Sequence, residues 1–173
     1  MGNQHKVIVI AILLVAVISL IQYNTYSVIA QISISDEPFY TSTNVSQLSQ
    51  RVIDASSAGP TTEISFTEDA VMSSVGNVSN SGTFIEHNLS PNIMVGTGKG
   101  IITSIDSNNI VTWSGYDLGK RLDNGSYIYR GIMFFEAFPS DENNELMFLD
   151  NGVGIYQHIV DQNDSIRQIW SWQ

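Results

Sequence analysis

The sequence predicts an all-β fold, a small antiparallel up-and-down β-barrel of seven or eight strands behind an N-terminal apolar segment, with a β-sandwich as the alternative. Three observations carry this reading. Beyond Thr61 the chain runs in short segments of Ile, Val, Thr, Tyr, Phe and Trp, the residue types that suit a pleated, half-buried surface. The separators between them, such as Asn80-Ser81-Gly82 and Asp123-Asn124-Gly125, are short, as hairpins between antiparallel neighbours require. Gly96, Gly98 and Gly100 then recur at period two, leaving one face of a strand bare so that a sheet can coil sharply or an aromatic ring can lie across the backbone.

The elements follow in chain order. Lys6 precedes an uncharged apolar run over 7–21, and Val28-Ile29-Ala30 follows it. A basic start, an apolar centre and a small residue before a cut are the parts of a secretory signal. The run is about fifteen residues, shorter than the roughly twenty of a bilayer-spanning helix. If it is retained, Tyr23 and Tyr26 extend it as a membrane anchor helix with interfacial tyrosines. Residues 31–60, dominated by Ser, Thr, Asn and Gln, read as a polar linker. Within it Val45, Leu48, Val52 and Ile53 have the spacing of a marginal helix. Strands are expected over 61–68, 70–76, 82–88, 93–105, 109–121, 126–138, 153–161 and 165–172, so that 61–173 forms the barrel domain. Ser140-Asp141-Glu142 before Leu146 carries the N-cap and acidic first turn of a short helix.

Composition narrows the function classes. Seven Lys and Arg stand against seventeen Asp and Glu, a formal net charge of −10, which disfavours nucleic acid and suits solubility. There is no cysteine, so disulfides, thiolate metal sites and cysteine nucleophiles are excluded. Sequons begin at Asn44, Asn77, Asn88, Asn124 and Asn163, each in a stretch that reads as loop or turn. With the leader they place the chain outside the cytoplasm, secreted or held to the membrane by its N-terminal helix.

No motif brings recognisable chemistry. Gly96-x-Gly98-x-Gly100 is followed by β-type residues rather than the helix a phosphate loop needs, and no cofactor is expected. Asp161-Gln162-Asn163-Asp164 lacks the glycine and glutamate of a calcium loop, and no metal is expected. Without a Gly-x-Ser-x-Gly elbow, and with only His87 and His158 beyond the leader, a serine triad is disfavoured.

The later half carries a likeness. Gly96-Thr97-Gly98-Lys99-Gly100, Val111-Thr112-Trp113-Ser114-Gly115, Tyr129-Arg130-Gly131, the stretch 146–151 and Trp170-Ser171-Trp172 resemble an uncharacterised family of archaeal exported β-barrel proteins. The architecture is more remotely similar to calycin-like and allene oxide cyclase-like barrels, which hold apolar ligands inside. The resemblance spans about 94–173 and implies the fold, with no catalytic residue to carry over.

The hairpin around Asn124-Gly125 decides what faces inward. A two-residue turn puts Trp113 and Asp117 on one face with Arg130 and Glu136. A three-residue Asp-Asn-Gly loop with a bulge instead puts Trp113 with Tyr127, Tyr129, Met133 and Phe135, away from Arg130. The candidate ligand-binding residues are Trp113, Tyr129, Arg130, Glu136 and His158. The leading expectation is a non-enzymatic module that binds a small apolar or amphipathic ligand or serves the cell envelope. The alternatives are an isomerase or cyclase using Glu136 or His158 as acid or base, and a purely structural surface protein.

Overall fold

Alternating inward and outward side chains, cut at intervals by turn residues, produce eight strands in the computed structural model, which describes residues 33–138, 144–161 and 164–172. They are β1 (Tyr40–Ser56), β2 (Gly59–Met72), β3 (Gly76–Ser90), β4 (Ile93–Ser104), β5 (Ile110–Arg121), β6 (Tyr127–Ala137), β7 (Val153–Val160) and β8 (Ser165–Ser171). Each pairs antiparallel with the next, and β1 pairs with β8 to close the barrel. Closure removes the sandwich alternative and satisfies most edges.

The structure differs from the sequence reading in three places. Asn80-Ser81-Gly82, expected as a separator, lies inside β3, paired on both sides, so the strand expected over 82–88 starts at Gly76. The other two differences offset each other in the strand count. The expected strands 61–68 and 70–76 are largely merged into a single strand, β2. The expected linker over 31–60 contains β1, which is no linker and no helix. Its strand character was hidden by β-bulges. The register against β2 slips between Ser42 and Asn44, between Gln47 and Ser49, and between Val52 and Asp54, so Thr43, Leu48 and Ile53 are extra residues spaced five apart. Each bulge resets the inward-outward phase, which turns a period of two into an apparent helical spacing. The outer part of β1 is also solvated on both faces, so burial imposes no alternation there. The leader over 1–30 lies outside the described residues. Among those described, no helix is long and apolar enough to cross a membrane.

The barrel is filled at one end and hollow at the other. The filled end is where β2 meets β3, β4 meets β5 and β6 meets β7. There Tyr40, Met72, Val78, Ile102, Val111 and Ile169 are buried together. The β6–β7 connection folds back as a plug: Leu146, fully buried, precedes a 3-10 turn, Met147–Leu149, whose Leu149 enters the same core. This turn stands where a short helix was expected, and residues 139–143, which hold that helix's cap, are outside the described residues. Phe39 meets Phe135 and Phe148 edge-on at 6.0 and 6.1 Å.

The glycine stripe of β4 does what its spacing predicts. Gly82 and Gly100 sit in register across β3 and β4, next to Trp113 on β5. A Cβ at either position would lie 2.6 Å from the Trp113 ring, so the indole rests on two strands of bare backbone. Phe84 covers Gly98 in the same manner.

Candidate functional site

The site is built on the inward rows of β1 to β8, above the level at which Trp113 crosses the barrel. Its floor is a polar network. Glu68 Oε1 accepts from Tyr40 Oη at 2.6 Å, Asn80 Nδ2 at 2.7 Å and Arg167 Nη1 at 2.8 Å, while Trp113 Nε1 donates to Asn80 Oδ1 at 2.8 Å. Arg167, only 3% exposed, lays its guanidinium over the Phe66 ring at 4.8 Å and near Phe84 at 5.4 Å. Its backbone N–H is held by Ser42 Oγ, just above the last β1–β8 register pair, Thr41 with Gln168. Two polar atoms of this floor, Arg167 Nε and Glu68 Oε2, are buried without a hydrogen-bond partner.

Over the floor lies a cavity of about 320 Å³, a volume suited to a small organic molecule. Its apolar lining is Val45, Ile64, Phe66, Phe84 and Val160, and its polar lining is Glu86, Asp117, Tyr129, Tyr156, His158 and Arg167. Glu86, Gly96, Asp117, Gly131 and Tyr156 are successive partners across β3 to β7. Asp117 therefore sits between two glycines, and its Oδ1 lies 2.5 Å from where a Gly96 Cβ would be. Tyr156 Oη donates to Asp117 Oδ2, and the Tyr129 phenol bonds Glu86. Burial raises both carboxyls above their ordinary range. The phenol bonded to each opposes the rise, as does the Arg167 charge for Asp117. Burial and the bonded carboxylates push the Tyr129 and Tyr156 phenols far upward, so both remain hydrogen-bond donors.

His158 is held neutral. Burial, reinforced by the Arg167 charge, pushes its pKa down to about 2. Arg167 Nη2 lies 3.5 Å from His158 Nδ1, which assigns the acceptor role to Nδ1 and leaves Nε2–H to bond Ser165 Oγ at 2.7 Å. The unfolded chain would protonate near 6.5 and the folded one near 2, so this group contributes stability above pH 6.5 that is lost as the pH falls towards 2. The raised carboxyls Glu86 and Asp117 have the opposite sign: they favour the fold in acid and cost stability as the pH rises through their folded-state values. Lowering the pH from 7 to 5 should therefore cost up to about 2 kcal/mol through His158, and His158→Gln should remove most of that slope in urea unfolding. An unchanged slope in the variant would assign the pH dependence elsewhere.

The expected site residues divide. Tyr129 and His158 line the cavity, with their rings stacked at a centroid distance of 5.8 Å. Trp113 points inward but lies under the floor, 3% exposed, against Phe66 and Phe84. Arg130 and Glu136 are exposed on the outer face, and Arg130 Nε donates to Gln157 Oε1 at 3.1 Å. The cause is the β5–β6 turn. Leu122 N donates to Ser126 O, Gly125 N donates to Leu122 O, and Gly125 has φ +88°, which makes the three-residue loop and its phase. Glu86, Asp117, Tyr156 and Arg167 were not anticipated. Asp117 shares strand parity with Trp113, so an inward Trp113 already implies it. Arg167 was hidden because a buried arginine contradicts the usual residue preferences. No group of three His, Asp or Glu side chains converges as a metal site among the described residues.

Of the sequons, Asn44 lies in β1 and Asn77 and Asn88 lie in β3, where loops were expected. Asn124 is in a turn, and Asn163 is outside the described residues. Asn44, Asn77 and Asn124 are exposed, whereas Asn88 packs its side chain against Gly59.

No protein-family model matches the chain, and no curated protein matches it by sequence. Solved structures do resemble it. A protein of unknown function from Clostridium acetobutylicum ATCC 824 superposes with a TM-score of 0.64 at 11% identity, covering 83% of this chain and 98% of that one. A β-barrel-like protein from Acinetobacter baumannii AYE gives 0.59 at 15% identity, over 82% and 96%. These likenesses establish the barrel architecture.

Proposed function

We propose that this barrel is a binding module, acting outside the cytoplasm, that takes a small apolar or amphipathic ligand into its hollow end. The observation that carries the reading is the cavity itself. About 320 Å³ of space, lined by the apolar Val45, Ile64, Phe66, Phe84 and Val160 and by a few convergent polar groups, stands above a hydrogen-bonded floor. A wall role alone gives no reason to leave this end hollow while the other end is packed solid and plugged. The extracytoplasmic location is supported by the leader pattern and the exposed sequon asparagines Asn44, Asn77 and Asn124. A retained N-terminal helix would place the module at the membrane.

The catalytic alternative gains nothing from its two named groups. Glu136 faces solvent, and an imidazole held neutral down to a pKa of about 2 is too weak a base to draw a proton at ordinary pH.

The test is a fluorescence titration of the 33–173 domain with N-phenyl-1-naphthylamine, a neutral apolar dye that brightens on leaving water. Saturable binding at one dye per chain is expected, and Ile64→Trp, which adds bulk to the apolar lining, should abolish it while the protein stays folded by circular dichroism. Absence of saturable binding by the folded wild-type domain, or dye binding that Ile64→Trp leaves intact, would overturn the reading.

A further inference from the structure

The cavity's charges do not balance from within. Among the described residues the ion pairs are Arg51 with Glu63 outside and Arg167 with Glu68 in the floor. Arg167 thus commits its charge to Glu68 at 2.8 Å. Neighbouring His158 carries none. Glu86 and Asp117 are left facing the same space across Gly96, each with a tyrosine hydroxyl as its side-chain donor. A carboxylate offers about four acceptor positions, so both retain capacity for further donors. Aromatic rings, those of Phe84, Tyr129 and Tyr156, surround them. The polar demand also extends to the floor, where the Nε–H of the 3%-exposed Arg167 has no acceptor.

We propose, building on the binding reading above, that the ligand is an amphipathic amine whose ammonium group seats between Glu86 and Asp117. Its apolar body lies along Ile64, Phe66 and Phe84, and an acceptor oxygen on the same molecule, where it has one, meets the Arg167 Nε–H. Three features argue for a cation over an anion. An incoming carboxylate would face two acidic groups and find Arg167, the buried cation among the described residues, already paired. An ammonium supplies three donors to carboxylates that form no ion pair among the described residues. It also lies among aromatic faces, which attract cations. The cost of burying the two carboxyls, seen in the upward displacement of both, is relieved when a cation arrives. Gly96 is integral to the device: any side chain there would displace the Asp117 carboxylate that leans over it.

Calorimetric titration with octylamine, 1-octanol and octanoate, which share a tail and differ in the head, tests the proposal. Octylamine should bind about ten-fold or more tighter than 1-octanol, with octanoate weakest. Asp117→Asn keeps an acceptor for Tyr156 and should bring octylamine to within about two-fold of 1-octanol, leaving 1-octanol itself nearly unchanged. Gly96→Ala should act in the same direction through displacement of Asp117, and Glu86→Gln provides a third route if either variant folds poorly. Equal binding of octylamine and 1-octanol, tighter binding of octanoate, or parallel losses for all three probes in Asp117→Asn would overturn the amine assignment while leaving a ligand-binding barrel. If none of the three binds and the neutral dye also fails, the binding reading itself falls.

Discussion

Arg167→Met is expected to destabilise the domain by about 3–5 kcal/mol, because it leaves the Glu68 carboxylate buried and without its cation. Arg167 and Glu68 are 3% and 2% exposed, joined at 2.8 Å, and Glu68 Oε1 also gathers Tyr40 and Asn80. The pair therefore connects β8, β2, β1 and β3 at the level where β1 and β8 close the barrel. Removing one partner exposes the full desolvation cost of the other, whereas removing both charges does not. Glu68→Gln together with Arg167→Met should recover at least half of the loss, since the carbonyl of the substituted amide would still accept from Tyr40 and Asn80. Urea unfolding of both single variants and the double variant gives the coupling directly. Additive losses would mean that the ion pair does not act as a unit.

How much of this was legible in the sequence depends on whether a residue obeys the alternation of a half-buried strand. From β4 to β8 it mostly does, and the strands, the meander and the purpose of the β4 glycines can be read directly; in β3 the turn-like Asn80-Ser81-Gly82 hides the first half of the strand. In β1 it does not, because three bulges reset the phase and the outer residues, such as Leu48 and Val52 at 65% and 64% exposure, have no buried face to respect. Two residue types made the site harder still. Buried charge runs against the usual residue preferences, so nothing in the sequence marks Glu68, Glu86 and Arg167 as inward, while Arg130 and Glu136, whose face depends on the hairpin register, are exposed. The two registers of the β5–β6 hairpin differ in loop length: a two-residue turn needs a left-handed Asn124 as well as a left-handed Gly125, whereas in the three-residue loop Gly125 is left-handed and Asn124 is not. The turn thus separates the two candidate interiors, and Asp117 is common to both because its parity with Trp113 does not depend on the turn.

Gly100→Val is the second large effect expected, about 3 kcal/mol or more of stability, or a melting temperature lower by about 10 °C. The inward row through this point runs Phe66, Gly82, Gly100, Trp113 and Phe135 across β2 to β6. Two large rings fit there because the two residues between them have none. A Cβ on Gly100 would lie 2.6 to 2.7 Å from two Trp113 ring atoms and also press on the Ser81 carbonyl, and backbone cannot yield as a flexible side chain does. Moving the indole would in turn break its 2.8 Å bond to Asn80 Oδ1, leaving a buried amide oxygen unpaired within the network that holds Glu68. The steric and polar costs therefore compound. Lys99→Val, one residue away on the exposed face, should change stability by no more than about 0.5 kcal/mol, which separates burial from β-propensity. A smaller ring offers the decisive comparison: Trp113→Leu should itself destabilise, yet in the Gly100→Val background it should cost far less or even stabilise, because the valine then occupies space the indole has vacated. Independent losses from the two substitutions would show that the indole does not depend on the bare backbone of β4, and with that the account of how the glycines shape this barrel would fail.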